Sequence, residues 1–125
     1  MSLVNERIEG SGFVWLRSST GTEAVALLIR RFPFMLELGE SEQELAEMGA
    51  FYAYGVFARE VVTRADEDFL RDAAKFVNEL AVSNDSYLEN LACLGILEAI
   101  VDTPEVDEKL MKYLGAKALE MRKEL

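Results

Sequence analysis

Carboxylates are the most abundant side chains with reactive potential in this chain of 125 residues, which holds 23 acids and no histidine. Without histidine, the usual Ser–His–Asp and Cys–His arrangements and every His-containing metal site are ruled out. Three Glu-x-x-Glu pairs remain: Glu37/Glu40, Glu44/Glu47 and Glu105/Glu108. Residues three apart share a helix face, so each pair could contribute to a carboxylate metal site. Di-iron bundles, however, need Glu-x-x-His from two helices. Acids also belong at helix starts for electrostatic reasons alone. Cys93 lies in the most apolar segment, where cysteine is an inert small hydrophobe more often than a nucleophile. No phosphate-binding glycine loop, dinucleotide fingerprint or calcium loop is present. The expectation is a non-enzyme with no catalytic residue, no metal and no cofactor.

Glu98 is the one acid in an awkward place. In SNDSYLENLACLGILEAIVD (residues 83–102) it interrupts an otherwise apolar run. Asn90, Leu94, Glu98 and Asp102 follow one another at steps of four, a shallow helical stripe. Two readings are open. Glu98 is either the wet edge of a core helix or a buried carboxylate held by a hydrogen bond or an arginine, because an unpaired buried charge is too costly.

The elements that would position these groups are all helices. Thr20 and Glu23 have capping-box spacing ahead of the stripe Val25, Leu28, Ile29, Phe32, and Pro33 ends it. Ser41 and Glu44 repeat the box ahead of Leu45, Met48, Tyr52 and Val56, widened by Phe51 and Val61. Small residues (Ala46, Gly49, Ala50, Ala53) would let another helix approach, and Gly49 and Gly55 are expected to have packing reasons. A third helix runs from about Asp66 to Ala81 with Phe69, Ala73, Phe76, Val77 and Leu80 inward, and Arg71, Lys75 and Asn78 mostly away from that face. The fourth opens with Ser86 and Glu89 as a capping box. Leu88, Leu91, Ala92, Leu94, Gly95, Leu97, Ile100 and Val101 surround most of its axis, the mark of a central helix. The last begins at Thr103 and Pro104. Its inner stripe is Val106, Leu110, Tyr113 or Leu114, Ala118 and Met121, and Gly115 bends or loosens it. The expected fold is one all-α domain over residues 1–125, an antiparallel helical bundle of about five helices with HEAT-like pairing as an option, preceded by a weakly structured segment at 1–19.

Charge bounds the partners. The net charge of −10 disfavours nucleic acid and anionic lipid. No apolar run is long enough to span a bilayer. A single cysteine and a polar start agree with a cytoplasmic location. Eight acids and no Lys or Arg lie between Phe76 and Glu108 (Glu79, Asp85, Glu89, Glu98, Asp102, Glu105, Asp107, Glu108), whereas residues 109–125 hold five bases and two acids. Glu89, Glu98, Asp102, Glu105 and Glu108 are the expected partner-binding residues for a basic protein. Matching of acids to helix dipoles explains much of the same pattern without any partner. Surplus apolar groups on several sides of one helix (Phe51, Tyr52, Tyr54, Phe57) point to a homodimer.

FPF after the first helix, YGVFAREVV, FVNELAVSNDSYLENLACLGILEAIVD and a late YLGAKA together resemble an uncharacterised family of small bacterial helical domains. Those domains are similar to immunity proteins of bacterial toxin systems, some built from HEAT-like helix pairs. The resemblance covers roughly residues 22–118 on these helix assignments. It implies that Phe32, Pro33, Asn90, Leu94 and Glu98 are structural pattern positions. Together with the acidic surface and the missing catalytic chemistry, it leads to the expectation of a non-enzymatic protein-binding domain, with an immunity-type inhibitor of a basic toxin as one form of it. The alternative is a homodimeric structural or regulatory helical domain.

Overall fold

Side-chain caps start the first two helices as the sequence spells them. The structure, a computed structural model, describes residues 20–125; the segment 1–19 lies outside the described residues. Helix α1 (Gly21–Arg31) opens with Thr20 Oγ1 accepting from the Glu23 N–H at 3.1 Å while Glu23 Oε1 accepts from the Thr20 N–H at 2.9 Å. Pro33 cannot continue the helix and starts a 3₁₀ turn, Pro33–Glu37. Ser41 and Glu44 cap α2 (Glu42–Met48) in the same reciprocal way, at 3.1 and 2.8 Å.

The second expected helix is in fact two. Gly49 takes φ +105, which an L side chain resists, and α3 (Ala50–Arg64) leaves in a new direction. The break resets which residues face inward. Ala50, Ala53, Tyr54, Phe57, Ala58 and Val61 are buried at i, i+3, i+4 spacing, whereas Met48, Phe51 and Tyr52 are exposed. Of the expected stripe only Leu45 and Val61 are fully buried. Gly49 therefore serves backbone conformation and not packing. Gly55 also has open space where its Cβ would be.

Asp66 caps α4 (Glu67–Ala81), accepting from the Phe69 N–H at 2.9 Å. The next cap is Asp85, not Ser86: its carboxylate accepts from the N–H groups of Tyr87 and Leu88, both at 3.0 Å. Helix α5 then runs over 86–101, with a wide π-helical segment, Leu91–Leu97, in its middle. Thr103 and Pro104 begin α6 (Pro104–Met111). The expected long last helix breaks at Gly115, and α7 (Ala116–Lys123) follows. Val106, Leu110, Leu114 and Ala118 are buried along this pair as expected. Asn78 departs from expectation, because its amide donates to the Tyr113 carbonyl at 3.0 Å and accepts from the Gly115 N–H at 2.7 Å. That pair of bonds, with Tyr113 Oη donating to Glu67, pins the α6–α7 turn onto α4.

The result is an all-α bundle of seven helices with no strand among the described residues. Five expected helices become seven because Gly49 and Gly115 each divide one. Helix α5 is the centre, as its apolar circumference predicts, and it packs against α3, α4, α6 and α7. Its π segment lies closest to α3. A Cβ on Gly95 would stand 3.2 Å from Tyr54 Cβ, so glycine there permits the approach. Tyr54 Oη donates to the Ala24 carbonyl at 2.9 Å, which ties α3 to α1.

These two glycines give opposite expectations. Gly55→Ala should raise stability by about 1 kcal/mol, the helix-propensity difference, since nothing obstructs the methyl. Gly95→Ala should lower it by about 1 kcal/mol net, because overpacking of roughly 1–3 kcal/mol exceeds the propensity gain. Paired urea melts test this, and equal signs for the two variants would refute the close packing of α3 on α5.

Candidate functional site

The π segment organises the surface of α5. Its last bond runs from the Glu98 N–H to the Cys93 carbonyl, five residues back. In a pure α-helix, residues spaced by four drift sideways by about 40° at each step. The wider turn takes up that drift. Leu88, Ala92, Ile96 and Ile100 accordingly form one straight buried row, and Asn90, Leu94, Glu98 and Asp102 one straight exposed row. Glu98 is thus on the wet edge, not buried, and Leu94, placed by sequence in the apolar surround, is 48% exposed beside it.

Of the eight acids between Phe76 and Glu108, three are engaged within the fold. Glu79 pairs with Arg31, Asp85 caps α5, and Asp107 pairs with Arg122. The other five are Glu89, Glu98, Asp102, Glu105 and Glu108, and none has an ion pair or hydrogen bond among the described residues. Glu98 and Asp102 end α5, Glu105 and Glu108 lie on the exposed side of the adjoining α6, and all four face solvent. Glu89 is half-buried and sits nine residues before Glu98, about 13 Å back along the axis, so the fold does not gather it with the others. Dipole matching accounts for Glu105 in the first turn of α6. It does not account for Glu98, which lies in the last turn of α5, where negative charge is unfavourable and no base is present.

The buried carboxylate among the described residues is Asp107, 4% exposed. Arg122 on α7 donates to it through Nε at 2.8 Å and Nη2 at 2.6 Å, a two-point clamp. The hydrogen bond to Asp107 raises the Arg122 pKa further above its ordinary value. Asp107 lies in the first turn of α6 and Arg122 in the last turn of α7, and a partner fifteen residues away leaves no periodic signal in the sequence.

Other reactive groups are subdued. Burial pushes the Cys93 thiol up from its ordinary pKa, and the charges of Glu124 and Glu98 add to that, so the nucleophilic thiolate is disfavoured. Burial also raises Tyr54, with a smaller contribution from Tyr87. The hydrogen bond to Glu40 raises Tyr52. Among the described residues no three cysteines or acids converge as a metal site, and no helix is long and apolar enough to cross a membrane. What the α5–α6 edge can do is present uncompensated negative charge around a small apolar contact, Leu94.

No curated protein matches the chain, and no solved structure does. A family model described as "Domain of unknown function (DUF7674)" matches residues 25–124. That span contains all seven helices except the first turn of α1, and the chain belongs to this family.

Proposed function

We propose that this chain is a non-enzymatic protein-binding domain whose α5–α6 edge receives a basic protein partner. Glu98 carries the reading: it is an exposed acid with no ion pair or hydrogen bond among the described residues, in the helix turn where the dipole disfavours negative charge. Asp102, Glu105 and Glu108 extend the charge, and Leu94 offers the apolar anchor that charged rims surround in interfaces. An immunity-type inhibitor of a basic toxin is the specific form that the sequence resemblance supports. The test is association kinetics across a salt series, with a partner recovered by pull-down on the full chain. Exposed charges are screened within about 10 Å at 0.1 M salt, so the association rate should fall as salt rises. Reversing Glu105 and Glu108 to Lys should slow association by about tenfold with no loss of folding. Because Glu98 is exposed, Glu98→Gln should also slow association, and it should not lower stability, since it removes a charge that the helix dipole disfavours. Recovery of no partner, or association indifferent to salt, would sink the reading.

A second reading, a homodimeric structural or regulatory domain, draws on one observation. Met48, Phe51 and Tyr52 are 52, 43 and 36% exposed around the Gly49 break, and the Phe51 ring lies 3.8 Å from where a Cβ on Gly95 would stand, next to Leu94 in the chain. Sedimentation velocity at micromolar concentration separates the two, since a clean monomer removes this alternative.

A further inference from the structure

One part of the surface has the opposite character to the acidic edge. At the corner where α1 ends, an open groove of about 470 Å³ is lined by Arg31, Phe32, Phe34, Arg64, Phe69 and Lys75, together with Pro33 and Asp72. Three cations against one acid make this lining +2 in a chain whose net charge is −10. None of these residues belongs to α5 or α6.

Local chemistry builds the groove. Pro33 stops α1 and turns the chain so that Phe34 meets Phe69 of α4 edge-on, with ring centroids 5.6 Å apart at 70°. Phe32, 7% exposed, forms the floor. Arg64 is the last residue of α3, and Ala65 at φ +50 swings the chain back into α4. This leaves the Arg64 guanidinium over Phe34, 4.0 Å from the ring centroid, and 5.4 Å from that of Phe69. Its Nε donates to Glu60 at 3.2 Å, and Arg31 gives one N–H to Glu79. Each guanidinium has five donors, so both retain N–H groups with no acceptor among the described residues. The Lys75 ammonium is exposed and has no hydrogen bond or ion pair there either.

We propose that this groove is a binding site for a small aryl anion, a planar ring carrying a phosphate or a carboxylate. The volume is within the usual range for small-molecule sites, roughly 300–1,000 Å³. A guanidinium seated over one ring can stack on a second aromatic ring as well, and its N–H fork matches carboxylate and phosphate oxygens. Phe34 and Phe69 supply the apolar wall, Lys75 a mobile point charge, and Asp72 an acceptor for a donor on the ligand's ring. Nucleic acid is the wrong anion for this groove, because an extended polyanion meets the net negative charge of the whole surface. A small anion senses mainly charges within about 10 Å at 0.1 M salt; there Glu79 and Glu60 offset Arg31 and Arg64, so the groove holds its head group through the unused guanidinium N–H donors and the Lys75 ammonium and not through net charge.

The experiment is an amide NMR titration of the full chain with phenyl phosphate and with benzoate, and with inorganic phosphate and phenol as half-probes. Saturable shifts confined to the amides of residues 31, 32, 34, 64, 69, 72 and 75 are expected. Phenyl phosphate or benzoate should bind at least about tenfold more tightly than either half-probe, and the stronger of the two identifies the head group. Lys75→Gln should weaken binding by about threefold, the worth of one exposed charge contact, with an unchanged melting temperature. Arg64→Gln should weaken it more. If that variant loses stability with its ring contacts, the Lys75 result alone decides. Shifts that are absent or scattered, equal affinity for phenyl phosphate and inorganic phosphate, or indifference to Lys75→Gln would each overturn the assignment.

Discussion

Arg122→Ala is expected to destabilise the domain by roughly 3–5 kcal/mol, the cost of breaking a buried ion pair from one side. The asymmetry of the pair sharpens this expectation. The Asp107 side chain is 6% exposed and that of Arg122 is 20% exposed. Removing Arg122 strands a carboxylate that cannot reach water. Removing Asp107 leaves a guanidinium that can swing outward on its long stem. Asp107→Ala should therefore cost less, about 1–3 kcal/mol. The double variant should be more stable than Arg122→Ala alone, since no buried charge is left. Urea denaturation of the three proteins measures the cycle. A loss below about 1 kcal/mol for Arg122→Ala would mean that Asp107 is hydrated and the α6–α7 clamp is not structural.

Phe57→Ala should be comparably damaging, at roughly 3–5 kcal/mol. Phe57 is fully buried, with Phe32 at 4.5 Å and Phe69 and Phe76 each at 6.1 Å between centroids. The rings come from α3, α4 and the end of α1, so one deletion loosens three elements. Leu94→Ala is the matched control. At 48% exposure it should change stability by less than about 0.5 kcal/mol, although a leucine in an apolar run would look central from sequence alone. Similar losses for both variants would mean that Phe57 does not occupy the core's centre.

The contrast shows which physics is written locally. Thr20/Glu23 and Ser41/Glu44 were legible because a cap is made by two side chains and two N–H groups within four residues. Helix type and the central position of α5 were legible from apolar periodicity, and so the all-α bundle was too. Gly49 was not, because a glycine among small residues in an apolar stripe reads as room for a neighbouring helix until its φ is known. The shift of the α5 cap from Ser86 to Asp85 turned on a choice between two adjacent cap-forming residues. Glu98 left two readings open, and only the packing of α5 settles them in favour of the surface. The sequence idea of a carboxylate held by arginine was right in kind and attached to the wrong residue, since Asp107 meets Arg122 only after the Gly115 turn folds α7 back. The groove was invisible for the same reason. Arg31, Arg64 and Lys75 stand on three different helices, and no window of sequence contains them all.

The wide turn in α5 has a consequence for heredity. Residues 91–97 hold, in effect, about one residue more than an α-helix needs for the same rotation. A gene that lost one codon there, at Leu94 for instance, would let the ladder close as ordinary α-helix while both ends of α5 kept their facing. The same loss before Leu91 or after Leu97 would turn one end by about 100° against the other and bring Ile100 off the core. Single-codon changes in length are thus confined by the backbone to seven positions of this helix, and those seven are the ones that set the acidic row straight.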